Sequence, residues 1–185
     1  PFTVAVISVD PFASPKTHAL VERMPVETRL SAAKVRDDWP AIAFAHDGAR
    51  WTVWTTYEND GDYVTASNGS EPVYLTEKGD HNSPTVATDS RGWVHAAWSQ
   101  REGSEFHVYL STYVSGRWTR AQRMTQPGTS NIWPQLASDG DRKIALVWQC
   151  LKEGRSTVQA RVWEGRGWGL PQQMNEDGGN AWAPS

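Results

Sequence analysis

Amide and indole side chains recur just before the prolines of a repeated sequence, with guanidinium groups on the loops expected beside them, and this combination suits the recognition of a sugar. Flat indole faces stack on the CH face of a sugar ring, while amides and guanidinium groups bond its hydroxyls. In a second interpretation the asparagines shape turns and the tryptophans wedge neighbouring elements. The sequence leaves both open. The candidate ligand-binding residues are Trp39, Asn82, Asn131, Trp133, Asn180, Trp182, Arg101 and Arg155.

Acidic loop residues raise the question of hydrolysis. Asp60, Asp80 and Glu102 are the first catalytic acids to test, because glycosidases use two carboxyl groups about 5 to 9 Å apart. No sequence pattern places two acids at that separation, and there is no Gly-x-Ser-x-Gly nucleophile turn. The sequence therefore favours binding over catalysis for this segment alone.

One loop could bind a cation. Glu58, Asp60 and Asp62 could hold Ca²⁺, which prefers several carboxylate oxygens on a flexible loop, although a solvated acidic loop is the better explanation. The five histidines lack the paired spacing of a catalytic metal site. No resident metal or cofactor is therefore predicted.

Composition excludes several classes of partner and structure. A net charge of −3 with both signs scattered argues against a nucleic-acid surface. A mean hydropathy of −0.59, with no long apolar run, predicts no membrane span. Cys150 is the single cysteine, so no intramolecular disulfide can form. Proline and glycine are frequent, as in proteins with many short strands and turns.

The elements that carry these residues belong to a repeat. The stretches Pro40–Trp54, Pro84–Trp98 and Pro134–Trp148 align without a gap, and in each the proline and the tryptophan stand fourteen residues apart. The prolines recur at intervals of 44 and 50 residues. A period of this size, filled with short strands, indicates a repeat architecture.

Each repeat is predicted to form four antiparallel strands whose polarity rises from the first strand to the fourth. The proline is predicted to be the first residue of a short inner strand, a position that sheets tolerate. The second strand is apolar on both faces and ends at Trp54, Trp98 or Trp148, which are predicted core residues. Trp118 and Trp168 open a polar fourth strand and are expected to be half-buried against the neighbouring repeat.

Stacked four-stranded units of this kind predict an all-β fold, a β-propeller. We expect residues 1–185 to form one partial propeller of about 3.7 blades in a ring that further blades or copies complete. The predicted divisions are a partial blade at 1–33, blades at 34–80, 81–130 and 131–180, and the start of another at 181–185.

Several repeat motifs resemble a known family. The Trp-Pro start, the Asp/Gly turn, the tryptophan ending the second strand and the Gly-x-Trp opening the fourth resemble repeats of bacterial exported proteins with sialidase-like or TolB-like propellers. The resemblance implies a periplasmic or secreted recognition module, often beside a catalytic domain. The chain departs from sialidases, because Asp47–Trp51 has the wrong spacing for an Asp box and no Arg-Ile-Pro start occurs. Trp163–Trp168 is also similar to the Trp-Asp-Gly-x-Gly-Trp repeat of fucose-binding propeller lectins.

These observations predict a ligand-recognition module that binds carbohydrate or protein through loops at the mouth of a propeller channel. One alternative is a segment of a sialidase-like glycoside hydrolase. The other is a structural or assembly scaffold.

Overall fold

Three antiparallel sheets follow one another along the chain in the computed structural model, which describes residues 36–175 together with 181, 182 and 184. Blade 1 contains β1 (Arg36–Phe44), β2 (Arg50–Glu58), β3 (Gly61–Ser67) and β4 (Val73–Tyr74). Blade 2 contains β5 (His81–Thr88), β6 (Val94–Glu102), β7 (Glu105–Val114), β8 (Arg117–Trp118) and β9 (Gln122–Arg123). Blade 3 contains β10 (Ser130–Ser138), β11 (Lys143–Lys152), β12 (Arg155–Glu164) and β13 (Gln172–Gln173). The predicted partial blade at 1–33 lies outside the described residues.

The order of the strands matches that of propeller blades. In each sheet the first four strands neighbour one another in chain order, while β9 pairs with β7 in blade 2. The first strands of adjacent sheets pack together. Sheets with these features are arranged around a common axis. The predicted all-β propeller fold is therefore confirmed. The described residues include no helix, and hence none that could cross a membrane.

The repeat prolines lie inside the inner strands, so their predicted place at the first residue of a strand is wrong. In β1, Asp38 pairs with Thr55 and Ala41 with Val53, which leaves two residues, Trp39 and Pro40, opposite one. This is a β-bulge, one of the few interior positions where a sheet accepts a residue without an N–H.

The same bulge recurs in each blade. The dipeptides Trp39-Pro40, Ser83-Pro84 and Trp133-Pro134 lie opposite Trp54, Trp98 and Trp148, respectively. The fourteen-residue spacing is therefore the distance along the chain from the proline of the bulge, through the hairpin, to the core tryptophan that lies opposite the bulge on the second strand.

The core follows the second strands, as predicted. Trp54, Trp98 and Trp148 expose 4%, 0% and 2% of their surface. Between blades, small and branched side chains interlock, because each sheet presents one apolar face to its neighbour. One such cluster joins Val53 to Val86 and Ala96, and the next joins Leu110 and Met124 to Leu146 and Trp148.

The fourth strands are short. β4 and β13 have two residues each, and in blade 2 the fourth strand is divided into β8 and β9, both paired with β7. The polar residues of this outer edge gain little from burial, so ladder pairing there is brief. Trp118 nonetheless packs edge-on against Trp51 of blade 1, with ring centroids 5.7 Å apart. This contact agrees with the predicted half-burial of Trp118 against the neighbouring blade.

Candidate functional site

The inner strands of the three blades enclose a cavity of about 410 Å³, here called the inner-strand cavity. Trp39 and Trp133, two of the predicted ligand-binding residues, both contribute to its wall. Trp39 is 45% exposed and Trp133 is half-buried, so indole surface is open to a ligand. The complete described lining is Trp39, Pro40, Ala41, Ser83, Pro84, Trp133, Gln135 and Pro184.

A repeated backbone distortion places three of these residues. Trp39, Ser83 and Trp133 each precede a repeat proline, and their φ angles are 54°, 51° and 53°. Bulky residues rarely adopt positive φ, and a residue before proline is ordinarily extended. Each such conformation costs about 1 to 3 kcal/mol, and it persists where the surrounding structure holds it. Here the bulge holds all three, so the side chains enter the cavity on a fixed frame.

Ser83, which belongs to the lining, has a hydroxyl group that is closed off from solvent. Its residue surface is 7% exposed, and its Oγ atom is buried with no hydrogen-bond partner within the described part of the chain. A buried polar atom without a partner costs roughly 1 to 3 kcal/mol. Ser83 and Gln135 were not predicted from the sequence. A signal for Ser83 existed, since it occupies the pre-proline position that holds tryptophan in the other two blades.

The two candidate asparagines within the described residues lie in strands, because the inner strands begin well before their prolines. Asn82 belongs to β5, is half-buried and pairs with Ser99 across the ladder. Asn131 is only 2% exposed: its side chain donates to the Thr129 carbonyl and accepts from the Trp148 indole at 2.9 Å. Asn131 therefore fixes a core tryptophan, which is a structural role.

Replacing Asn131 tests that role. Asn131→Ala leaves the buried Trp148 Nε1–H without its acceptor, so we expect unfolding free energy to fall by about 1 to 3 kcal/mol. Asn82→Ala is the control and should cost less than about half of that. Urea denaturation followed by circular dichroism measures both. Equal losses would contradict the structural role of Asn131.

Three further predicted ligand-binding residues are described by the structure, and none of them is in the described lining of the cavity. Arg101 extends from the β6–β7 hairpin and pairs with Asp80, with its Nη1 atom 3.5 Å from Oδ2. Arg155 is exposed at the start of β12. Trp182 is 64% exposed, and Asn180 lies outside the described residues. Of the eight predicted residues, the structure brings together Trp39 and Trp133.

The predicted acids also lie away from the cavity. The carboxylate of Glu102 accepts from the Tyr109 hydroxyl and from Arg123 Nη1, the latter at 3.1 Å. Asp60 accepts from the Tyr63 hydroxyl at 3.1 Å. Neither these acids nor Asp80 line the inner-strand cavity.

Tyrosine hydroxyls donate hydrogen bonds to two carboxylates of the candidate calcium loop. The Tyr74 hydroxyl donates to Glu58, and this bond together with burial raises the pKa of Tyr74 to about 12. Partial burial and the nearby Asp80 charge raise the pKa of Asp62. Across the described residues, no three His, Cys, Asp or Glu side chains are grouped to hold a metal ion. Ca²⁺ binding by Glu58, Asp60 and Asp62 stays the alternative hypothesis for this loop.

Aromatic side chains fill the joints between blades. At the first joint Trp51 packs on Tyr113, with ring centroids 4.6 Å apart. At the second joint His95 occupies the register position of Trp51. Trp163 and Trp168, which begin and end the lectin-like motif, lie 6.0 Å apart there beside a cavity of about 360 Å³. This placement accounts for both tryptophans as packing between blades 2 and 3.

Comparison with known proteins gives the fold. No protein-family model matches the chain, and no curated protein matches it in sequence. The GH93 α-L-arabinofuranosidase of Fusarium graminearum, solved with arabinobiose, is similar at 14% identity and a TM-score of 0.52, over 80% of this chain and 52% of that one. The Penicillium chrysogenum α-L-arabinanase, also complexed with arabinobiose, is similar at 15% identity and a TM-score of 0.50, over 75% and 49%.

This chain thus spans about half the length of those two enzymes. TolB from Acinetobacter baumannii is similar at 19% identity and a TM-score of 0.47, over 71% of this chain and 31% of that one. The chain resembles propeller proteins. At these identities the likeness concerns the fold and leaves the activity to be argued from the site.

Proposed function

We propose that this chain is a carbohydrate-recognition module that binds its ligand in the inner-strand cavity. The observation that carries the proposal is the convergence of Trp39 and Trp133 on one cavity through the same strained bulge. Strained backbone concentrates at binding and catalytic sites, where it holds side chains ready for a ligand.

The chemistry of the lining supports a sugar. Two partly open indoles offer faces for the CH groups of a sugar ring, and the exposed Gln135 amide offers hydrogen bonds to its hydroxyls. The cavity volume of about 410 Å³ is at the lower end of the usual range for small-molecule sites. A short saccharide fits these dimensions better than a protein surface, which needs roughly 800 Å² of contact on each partner.

The hydrolase alternative receives less support. Glycosidases need carboxyl groups on both sides of the scissile bond, and the described lining of the cavity contains none. The scaffold alternative predicts a filled centre, whereas the cavity is open. As the sequence resemblance implies, we place the module in an exported protein.

A further blade is proposed to continue the ring beyond blade 3. Met124 and Met174 occupy the same register position in blades 2 and 3. Met124 is 3% exposed because Leu146 and Trp148 of blade 3 cover it, whereas Met174 is 61% exposed. The face of blade 3 that carries Met174 thus corresponds to the face of blade 2 that packs on its neighbour, yet it is open to solvent. Such a face suits another blade, supplied by the same protein or by a second copy.

Removing the indoles tests the proposed function. Trp39→Ala and Trp133→Ala should each weaken saccharide binding by about tenfold, and the double variant by about a hundredfold, because each loses an aromatic stacking face. Trp182→Ala is the matched control, since Trp182 is exposed and is not among the lining residues. Isothermal titration against glucose, galactose, arabinobiose and their oligomers provides the measurement.

Two results would overturn the proposal: no binding of any saccharide by the unchanged protein, or unchanged affinity in the double variant. A parallel assay for glycoside cleavage uses Asp60→Asn, Asp80→Asn and Glu102→Gln. Turnover that these changes abolish would establish the hydrolase alternative.

A further inference from the structure

A second cavity opens at the joint between blades 1 and 2, among the outer strands of the two sheets. Its volume is about 340 Å³, and it is here called the outer cleft. One wall is the connection between β3 and β4 of blade 1, and the other is the end of β7 with the start of β8 of blade 2. The outer cleft shares no described lining residue with the inner-strand cavity. It is therefore a separate candidate site.

The cleft is open because blade 1 is the shorter of the two blades. The repeat prolines are 44 residues apart across blade 1 and 50 apart across blade 2, and β3 has seven residues where β7 has ten. The connection between β3 and β4 has no counterpart of Trp118. The wall of blade 1 thus ends early, and Tyr113 and Trp118 of blade 2 are half-buried with ring surface on the cleft.

Two opposite charges line the cleft from its two walls. Glu71 belongs to blade 1 and Arg117 to blade 2, and both side chains are exposed. Neither forms an ion pair with the other or with a further charge of the described residues. A ligand that covers both side chains displaces their water, and this desolvation is offset when the ligand brings an opposite charge to each. The two residues therefore favour a ligand that carries one charge of each sign.

Aromatic surface in the same cleft suits one kind of cation. Tyr113 and Trp118 pack with ring centroids 5.5 Å apart and form a continuous aromatic wall. Methylated ammonium groups bind to aromatic faces, because the ring attracts their charge and their methyl groups are apolar. At the second joint the protein supplies its own cation, since Arg91 lies 3.8 Å over the Trp93 ring. No arginine or lysine of the described residues is stacked in this way on Tyr113 or Trp118.

We infer that the outer cleft binds a small zwitterion in which a methylated ammonium group is joined to a phosphate or a carboxylate. The ammonium group lies against Tyr113 and Trp118 with Glu71 balancing its charge, and Arg117 binds the anionic end through paired N–H donors. This site is additional to the inner-strand cavity, so the inference does not rest on the proposed function. The same chemistry occurs in free zwitterions and in the headgroups of phosphocholine lipids, and the experiment separates these two sources.

Fragments of one ligand test the two charge contacts. Phosphocholine or glycine betaine should bind the unchanged protein at least about tenfold more tightly than choline or inorganic phosphate, each of which keeps one kind of charge. Phosphoethanolamine has a primary ammonium group and should bind about fivefold more weakly than phosphocholine. Isothermal titration gives these affinities. Flotation with phosphatidylcholine vesicles, and with phosphatidylglycerol vesicles as the control, shows whether a headgroup in a membrane reaches the cleft.

Substitutions of the two exposed charges test the site without disturbing the core. Glu71→Gln and Arg117→Gln should each weaken phosphocholine binding by about five- to tenfold, because each removes one charge contact and keeps a polar side chain. The matched controls are Glu77→Gln and Arg166→Gln, which should bind as the unchanged protein does. Glu77 is exposed and is not in the described lining, and Arg166 is exposed in the corresponding turn of blade 3.

Three results would overturn the inference. These are no binding of either zwitterion, unchanged affinity in both charge variants, and loss of saccharide binding in Glu71→Gln, which would assign the cleft to sugars. The two proposals also fail separately. The double variant of Trp39 and Trp133 should still bind phosphocholine. Saccharide binding without zwitterion binding leaves only the proposed function standing, and the reverse result leaves only this inference standing.

Discussion

Trp98→Ala is expected to lower the free energy of unfolding by about 3 to 5 kcal/mol, as aromatic-to-alanine changes in a packed core do. Trp98 is 0% exposed in the central blade, lies opposite the Ser83-Pro84 bulge, and bonds Gln100 Oε1 through its indole N–H at 3.3 Å. The change leaves a large void beneath the bulge. Because domains are commonly stable by only 5 to 15 kcal/mol, a substantial fraction of molecules would unfold under mild denaturation.

A matched tryptophan separates packing from residue type. Trp39→Ala, at a 45% exposed position, should cost about 1 kcal/mol or less. Trp98→Phe keeps most of the volume and should fall between the two. Chemical denaturation followed by circular dichroism ranks the three variants. A cost for Trp98→Ala equal to that for Trp39→Ala would refute the assignment of Trp98 to the core.

Acidification is expected to weaken the joint between blades 2 and 3 through His95. The side chain is buried, with Nδ1 3.2 Å from Thr112 Oγ1 and Nε2 3.9 Å from Asp89 Oδ2. Burial, reinforced by the Arg91 charge and opposed by Asp89, lowers the pKa of His95 to about 4.

The sign of the effect follows from proton binding. Below pH 6.5 the unfolded chain takes up a proton at His95, whereas the folded protein resists it until about pH 4. Stability therefore falls as pH drops through this window, by on the order of 3 kcal/mol in total. Burial also lowers the pKa of His81, which adds to the same trend.

Replacing His95 isolates its contribution to the pH dependence of the unfolding free energy. His95→Phe cannot be protonated, so its unfolding free energy should depend less on pH between 6.5 and 4 than that of the parent. His46→Phe, at an exposed turn after β1, is the control and should keep the slope of the parent. Denaturation midpoints at half-unit pH steps give the slopes. Parallel curves for His95→Phe and the parent would contradict the prediction.

The sequence predicted the blades because their main determinant is periodic. The proline-to-tryptophan spacing recurs in every blade, and the apolar second strands stand out against polar loops. These signals depend on local pattern and on burial, which residue types report well. The strand order and the core tryptophans followed from them.

The site was less accessible to sequence reasoning. Asn131 has the residue type of a turn, yet its amide is buried against Trp148, a contact that depends on tertiary register. Ser83 was overlooked because serine ordinarily marks a loop, and neither bulge nor positive φ can be read from propensities. Trp39 and Trp133 were predicted as ligand-binding residues from residue type alone, and the structure places both in the lining of one cavity.

In each recurring bulge, different residues serve the fold and the proposed binding site. The backbone of each bulge is anchored by its proline and by the tryptophan across the ladder, while the residue before the proline is tryptophan in two blades and serine in the third. Under the proposed function, a substitution at this one position of each repeat would alter ligand preference while the architecture stays intact. A ring built by duplication of this unit would diversify its binding chemistry through single substitutions, with folding and recognition evolving at different positions.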